Sequence, residues 1–245
     1  SEKFKVQSEQ ESLYGWVRVI DQPKNDLRFL TSDASMIGAA SLSKGRTLLA
    51  YQEIVNLIPA LAPPMQHGLI VGLGAGHMAN MLYKNYQLTT DTLEIDPAVA
   101  EAAVNFFNYQ ATGKAIVGDA RYEIRHLTGP YDLIIHDCFT GGSEPAHLLT
   151  LETLQQLRSL MTDKGILALN FVSFLQDGQN KALASVARTI AQVFPHSSVF
   201  ISEPGDDFND FIFLASKYPI NLDSQSLSGK QKKWLNKRLV NIDAS

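Results

Sequence analysis

Two different patterns of hydrophobic and polar positions divide the chain. Near the N-terminus, apolar and polar side chains alternate along two short runs, 14–20 and 27–31, and the turn-forming stretch 21–26 separates them. Because successive side chains of a strand point to opposite faces, this alternation predicts a β-hairpin within a small antiparallel sheet. The spacing then becomes helical over 48–61, and the prolines at 63–64 end that helix.

From residue 68 onward, short apolar strands alternate with amphipathic helices. The predicted strands are 68–71, 90–95, 115–117, 131–137, 166–171, 198–201 and 211–215. The predicted helices are 77–86, 97–108, 120–127, 150–161, 178–194 and 231–240. This alternation is typical of a doubly wound, mostly parallel sheet. The sequence therefore predicts an α/β chain with an N-terminal β-hairpin domain over 1–48 and a Rossmann-type domain over 49–245.

Composition and charge narrow the class of protein. The 245 residues are 45% hydrophobic and 19% charged, which is enough apolar material for a core and excludes a disordered chain. With a net charge of −4, the chain has no excess of basic residues for binding nucleic acid or a membrane surface. The single cysteine excludes a disulfide scaffold, and the six histidines show no metal-ligand spacing.

We therefore expect a cytoplasmic protein that binds no metal and no nucleic acid. We also expect no contact with a membrane, because no apolar run is long enough to span a bilayer. A homodimer is an open alternative to a monomer. The chain begins with Ser rather than Met, so a piece of a longer protein is also open.

The first strand of the predicted parallel sheet runs into a glycine-rich turn. Gly72, Gly74 and Gly76 alternate with single residues ahead of the next helix. Glycines there allow a tight turn and let a ligand approach the backbone, although a tight turn alone needs the same residues. Glu94 closes the next strand, where its carboxylate can accept hydrogen bonds from both hydroxyls of a ribose. We assign the nearby Asp96 to the N-cap of the following helix.

Acids also stand at the next two strand ends. Asp119, beside Ala120, follows the third strand and either accepts from an adenine amino group or caps the next helix. Three such strand ends in succession favour an adenosyl sulfonium over a dinucleotide. Asp137 ends the fourth strand, at the ligand crevice of such a sheet. An amine that attacks a sulfonium must first lose its proton, so Asp137 is our candidate base, with a cap or a solvated loop as alternatives.

In this order, the motifs resemble the spermidine synthase family of aminopropyltransferases. The resemblance rests on the segment Ala50-Tyr51-Gln52-Glu53-Ile54, the glycine turn, Glu94-Ile95-Asp96, Gly118-Asp119, and the runs 131–137 and 211–217. It implies a Rossmann-type, class I methyltransferase-like fold with a small N-terminal antiparallel β-domain. It also implies decarboxylated S-adenosylmethionine as the co-substrate.

The resemblance further implies a role for each matching residue. Glu94 would hold the ribose, Asp119 beside Ala120 the adenine, and Gln52 the aminopropyl end. Tyr51 would line the amine pocket, with Asp137 as the catalytic base. The glycines of the turn would lie against the co-substrate.

Several positions depart from the family's pattern. Ala75 stands where the family has an Asp that contacts the aminopropyl ammonium and repels the carboxylate of intact S-adenosylmethionine. Thr140 replaces an Asp that pairs with the far end of a diamine, and Asn170 replaces a longer Gln in the substrate pocket. Ala75 and Thr140 are both small, so an Asp is predicted to fit at either position. Replacement carboxylates could come from the last hairpin: Asp206, Asp207 and Asp210.

The sequence therefore predicts transfer of an aminopropyl group from decarboxylated S-adenosylmethionine to a small-molecule amine. Two alternatives stay open. One is an S-adenosylmethionine-dependent methyltransferase, because Ala75 does not repel the carboxylate of the intact co-substrate. The other is a catalytically weak nucleoside-binding domain of a larger protein.

Overall fold

A computed structural model describes residues 3–137, 149–174 and 181–242, which form twelve strands and seven α-helices. The strands are β1 Lys5–Ser12, β2 Gly15–Gln22, β3 Leu27–Ser32, β4 Ser35–Ser41, β5 His67–Val71, β6 Thr89–Glu94, β7 Ala115–Val117, β8 Tyr131–His136, β9 Met161–Phe174, β10 His196–Ile201, β11 Phe208–Ser216 and β12 Leu239–Val240. The helices are α1 Tyr51–Leu57, α2 His77–Tyr86, α3 Pro97–Phe106, α4 Ala120–Glu123, α5 Leu151–Ser159, α6 Lys181–Ala191 and α7 Gly229–Asn236. Within these ranges, no helix is both long and apolar enough to span a membrane.

The N-terminal strands form a separate antiparallel sheet in the order β1-β2-β3-β4. Its inner face carries Val17, Val19 and Leu30, which are at most 3% exposed. These side chains pack against one face of α3, including Val99 and Ala102, and against Phe107 just after its end. The alternation seen in the sequence therefore reflects a sheet with one face buried against the larger domain.

The second sheet has eight strands in the order β12-β10-β11-β9-β8-β5-β6-β7. Strands β7, β6, β5, β8 and β9 are parallel, and β11, β10 and β12 continue the sheet in antiparallel pairs. The chain proceeds outward from β5 to β7 and then returns to β8 on the other side of β5. Such a reversal opens a crevice at the carboxyl ends of the two central strands. This topology confirms the predicted fold class.

The large sheet is covered on both faces, which explains its nearly continuous apolar strands. In β5, Leu69 and Val71 join the cluster on the α5 and α6 side. Ile70, between them, joins the cluster on the α1, α2 and α7 side. Alternate side chains of one strand therefore enter opposite halves of the core.

Several predicted boundaries differ from the structure. The predicted helix 231–240 ends at Asn236, and Leu239–Val240 instead pairs with β10 as a short strand. The predicted helix 97–108 ends at Phe106, since Asn108 adopts a left-handed backbone with φ of 56°. The predicted helix 120–127 is one α-helical turn followed by a 3-10 turn.

Candidate functional site

The glycine turn after β5 has the backbone that its residues suggest. Gly72, Gly74 and Gly76 have φ values of 95°, 57° and 86°, in the region that side chains disfavour. A Cβ on Gly76 would also lie 2.7 Å from the Tyr109 side chain. The backbone amide of Gly72 donates to the Leu93 carbonyl at 2.8 Å, which ties the turn to the end of β6. The turn therefore requires glycine for both its conformation and its close packing.

Glu94 lies against this turn at the carboxyl end of β6. One carboxylate oxygen accepts from the Gly74 amide at 3.2 Å, and the other accepts from the Asp96 amide at 3.1 Å. Burial nevertheless raises the pKa of Glu94 to about 7. Two donated hydrogen bonds leave further lone pairs on the carboxylate, so it can still accept from a ligand.

The two neighbouring acids both cap helices. Asp96 accepts from the Ala98 amide at 2.9 Å, which confirms the predicted N-cap of α3, and it also accepts from the Ser12 hydroxyl at 2.8 Å. Asp119 caps α4 through the Arg121 amide at 2.9 Å. The side chain of Asp119 remains 44% exposed, so the cap leaves it accessible to a ligand.

Exposed apolar side chains stand beside these acids. Ile95, directly after Glu94, is 41% exposed, and Val117, two residues before Asp119, is 51% exposed. Together they provide an apolar surface next to the acids at the edge of the sheet. Sequence analysis missed both residues, although an apolar residue adjoining an acidic strand end is a readable signal.

Asp137 is the centre of a buried hydrogen-bond network. The Tyr51 hydroxyl of α1 donates to one carboxylate oxygen at 2.6 Å, and the Asn170 amide of β9 donates to the other at 3.0 Å. The three side chains are at most 6% exposed. Residues far apart in the sequence are therefore brought together at the carboxyl end of β8.

A relay from the N-terminal side orients the tyrosine. The Thr47 hydroxyl donates to the Gln52 amide oxygen at 2.5 Å, and the Gln52 amide nitrogen donates to the Tyr51 oxygen at 3.2 Å. With its oxygen occupied as an acceptor, Tyr51 directs its proton to Asp137. Sequence analysis missed Thr47, since nothing in its spacing connects it to α1.

Burial and hydrogen bonding act in opposite directions on these groups. Burial raises the pKa of Asp137, and the hydrogen bonds from Tyr51 and Asn170 oppose that rise. Burial and the neighbouring Asp137 raise the pKa of Tyr51 well above its usual value. Tyr51 therefore keeps its proton and remains a donor. Because its pKa is raised overall, Asp137 is a stronger base than a solvated carboxylate. The hydrogen bonds from Tyr51 and Asn170 still favour its charged form.

Asp210 of β11 lies at the edge of this network. The Asn170 amide nitrogen that contacts Asp137 also donates to Asp210 at 3.1 Å. Burial, opposed by the hydrogen bond from Asn170 and supported by the nearby charges of Asp137 and Glu203, raises the pKa of Asp210 to about 6. Of the three hairpin acids, Asp210 is the one whose contact with the network is seen.

Ala75 corrects one expectation from the sequence. It is 4% exposed and belongs to the apolar cluster beneath the N-terminal sheet. A Cβ on the facing Gly38 would lie 2.8 Å from the Ala75 Cβ. The prediction that an Asp fits here is therefore wrong, because the added carboxylate would enter a dry, closely packed space.

Two predicted site residues remain, Ala120 and Thr140. Ala120 is 9% exposed and lies in the core cluster under α4. Thr140 lies outside the described residues. The part of the chain that the structure describes contains no cluster of His, Cys, Asp and Glu arranged to hold a metal ion.

Comparisons with known proteins place the chain beside two kinds of transferase. An N-terminal histidine N-methyltransferase from Emericella nidulans is 28% identical in an alignment 240 residues long, and the alignment covers 87% of this chain and 42% of that protein. A polyamine aminopropyltransferase from Vibrio vulnificus is 31% identical in an alignment 175 residues long, which covers 67% of this chain and 58% of that protein. The chain spans about half the length of the curated relatives it matches. No family model matches it.

Solved structures show the same fold. A probable spermidine synthase from Corynebacterium glutamicum is similar with a TM-score of 0.78 at 19% identity, over 98% of this chain and 99% of that one. Human methyltransferase-like protein 13 in complex with SAH is similar with a TM-score of 0.56 at 21% identity, over 77% and 89%.

The fold is thus one that spermidine synthases and methyltransferases share. The chain is a divergent spermidine synthase-like protein, with methyltransferases also among its relatives, which confirms the predicted resemblance.

Proposed function

We propose that the chain binds a sulfonium nucleoside at the carboxyl edge of the large sheet and transfers an alkyl group from it to an amine. The observation that carries this proposal is the buried carboxylate of Asp137, held by Tyr51 and Asn170 beside the glycine turn. A base at this position is needed because a protonated amine has no lone pair with which to attack.

In this proposal the nucleoside occupies the crevice between the glycine turn and the acids at the strand ends. Glu94 accepts from the two ribose hydroxyls, and Asp119 accepts from the adenine amino group. Ile95 and Val117 supply the apolar surface that an adenine ring needs. The positive-φ glycines let the donor approach the turn without a side chain between them.

The transfer is a direct displacement at carbon. The amine nitrogen forms a bond to the carbon attached to sulfur, the carbon–sulfur bond breaks, and its electron pair stays on sulfur as a neutral thioether. Asp137 takes the proton that the amine gives up. Tyr51 and Asn170 keep the carboxylate oriented, so the enzyme acts by positioning and proton removal.

The transferred group is proposed to be aminopropyl, from decarboxylated S-adenosylmethionine. Glu94, Asp137 and Asp210 have no ion pair with a Lys or Arg among the described residues. Such acidic surroundings favour a donor that ends in an ammonium over one that also carries a carboxylate. Similarity to polyamine aminopropyltransferases over 67% and 94% of the chain supports the same choice.

Methyl transfer from intact S-adenosylmethionine is the second candidate. It is compatible with position 75, because the Ala75 methyl group packs beneath the N-terminal sheet and no carboxylate there faces the intact donor. The match to an N-terminal histidine N-methyltransferase over 87% of the chain also supports it.

The identity of the released nucleoside tests the two candidates. The protein would be incubated with each donor separately and a panel of primary amines that includes 1,4-diaminobutane, and the products separated by chromatography. Aminopropyl transfer releases methylthioadenosine, whereas methyl transfer releases S-adenosylhomocysteine. Release of neither product, with methylthioadenosine still bound, would overturn the enzyme proposal in favour of a nucleoside-binding domain.

A further inference from the structure

A small cavity lies between the N-terminal sheet and the large domain. Its volume is about 220 Å³, and its lining comes from both units: Arg28 and the segment 40–45 on one side, and His77 with the segment 106–108 on the other. None of the described residues in this lining belongs to the network around Asp137 or is one of the acids at the strand ends. Ligand sites occur preferentially where two such units meet, so the cavity is a separate candidate site.

His77 is a buried side chain of this lining that lacks a hydrogen-bond partner. It is the first residue of α2 and is 7% exposed, and neither ring nitrogen is hydrogen-bonded to another described residue. The ring packs edge-on against Phe107, with the ring centroids 5.7 Å apart. Burial lowers the pKa of His77, so the neutral ring offers one donor and one acceptor. Because an unpaired buried polar group is costly, His77 indicates a ligand in the cavity that it lines.

Two other lining residues are cations. Arg28 donates to the two carboxylate oxygens of Asp21 at 2.7 and 2.8 Å and to the Phe106 carbonyl at 2.9 Å. A guanidinium has five N–H groups, so two of them remain for a ligand. Lys44 has no ion pair with an Asp or Glu of the described ranges. Since no described lining residue is an Asp or Glu, the cavity suits an anion.

The loop that carries Lys44 is held in place by contacts of its own. The Ser43 amide and hydroxyl donate to the two carboxylate oxygens of Asp26 at 2.7 and 2.6 Å, and the Leu42 amide donates to the Asp26 carbonyl at 3.1 Å. The bonds from Ser43 and the nearby charge of Lys44 lower the pKa of Asp26, which therefore stays ionised and keeps the loop fixed. Asp26 offsets part of the charge of Lys44 but does not line the cavity. A ligand need not order this loop, which removes one cost of binding.

We propose that the cavity binds a compact ligand that carries a phosphate group, with Lys44, the two free N–H groups of Arg28 and the ring of His77 as its partners. A phosphate group combines negative charge with several acceptor oxygens, so it can accept from donors that approach from different elements. The volume lies below the range of about 300–1,000 Å³ that drug-sized ligands occupy, which favours inorganic phosphate or a small monoester over a whole nucleotide. This site is independent of the proposed transfer reaction.

Calorimetry at constant ionic strength tests the site with two probes, inorganic phosphate and glycerol 3-phosphate. Binding of phosphate alone would support a site for the free ion, and binding of both would support a site for a monoester. His77→Phe keeps a ring against Phe107 but removes both nitrogens. It should weaken binding by about 10- to 150-fold, the range for a hydrogen bond to a charged group. His196→Phe makes the same substitution at the start of β10 and should bind as the parent does.

A second variant keeps the test valid if His77→Phe does not fold. Lys44 is exposed, so Lys44→Glu should fold, and the reversed charge should weaken phosphate binding by about 10-fold or more. Its matched control is Lys164→Glu, at an exposed position of β9, which should leave binding within about twofold of the parent. The proposal is overturned if the parent binds neither probe, if folded His77→Phe or Lys44→Glu binds as the parent does, or if the control variants lose affinity equally.

Discussion

The hydroxyl of Tyr51 offers a sharp test of how the base is controlled. Tyr51→Phe removes one oxygen from a side chain that is 4% exposed and donates to Asp137 at 2.6 Å. That hydrogen bond lowers the pKa of Asp137, so its loss should raise the pKa further. Since the proposed mechanism requires ionised Asp137, the acidic limb of the pH–rate profile should move to higher pH.

The size of the effect follows from the bond that is removed. A hydrogen bond to a charged group is worth about 1.5–3 kcal/mol, which corresponds to about a 10- to 150-fold loss of rate on the acidic side of the limb. Well above the limb, where Asp137 is ionised in both proteins, only the smaller loss of rate from the less well oriented carboxylate should remain. The assay is release of nucleoside product measured across the pH range at saturating donor.

Tyr131→Phe is the matched control. Tyr131 is 1% exposed, and its hydroxyl donates to another aspartate, Asp91, at 2.8 Å at the opposite edge of the sheet. Tyr131→Phe should lower the free energy of unfolding as Tyr51→Phe does, because each variant removes a buried hydrogen bond to an aspartate. It should nevertheless keep the parent's pH–rate profile. An equal loss of rate at every pH in Tyr51→Phe, or the same shift of the limb in Tyr131→Phe, would refute the reasoning.

Three further predictions concern the donor side of the site. Glu94→Ala should weaken methylthioadenosine binding by about 2–4 kcal/mol in calorimetry, because a charge-assisted contact with two hydroxyls is lost; unchanged affinity would refute the ribose assignment. The pKa of Glu94 is raised to about 7, so the folded protein binds more protons than the unfolded chain above pH 4.5. The free energy of unfolding of the nucleoside-free protein should therefore fall by about 1–2 kcal/mol as pH rises from 4.5 to 7, after allowance for solvent screening. Urea unfolding of Glu94→Gln should show a weaker dependence on pH. Ala75→Asp should lower the free energy of unfolding by about 3 kcal/mol or more, because it buries a carboxylate against Gly38; unfolding at the parent's urea concentration would show that this position is open to solvent.

Hydrophobic periodicity was sufficient to predict the fold class, because a parallel sheet covered on both faces leaves short apolar runs in the sequence. It failed where pairing rather than periodicity decides the structure. Leu239–Val240 continues a helical pattern, yet it is drawn into β12 by backbone pairing with β10. The polar edge strand β1 has no apolar face to reveal it.

The candidate site was predictable only where a residue stands at a strand end. Glu94, Asp119 and Asp137 each follow an apolar run, so their place at the carboxyl edge could be inferred. Thr47 and the amide shared by Asp137 and Asp210 could not, since these contacts join residues that are far apart in the chain. Ala75 was misjudged because the packing of the N-terminal sheet on the glycine turn leaves no signal in either segment alone.

Replacement of Asp137 by asparagine tests the proposed transfer most directly. The amide keeps the size of the side chain but cannot take the proton of the amine. Asp137→Asn should bind methylthioadenosine within about twofold of the parent, while nucleoside release in the presence of an active amine falls by about 10²–10⁴. Thermal unfolding would first establish that the variant is folded. Full turnover in the folded variant would contradict the assignment of Asp137 as the base, and loss of nucleoside binding without a separate effect on rate would make it a ligand contact.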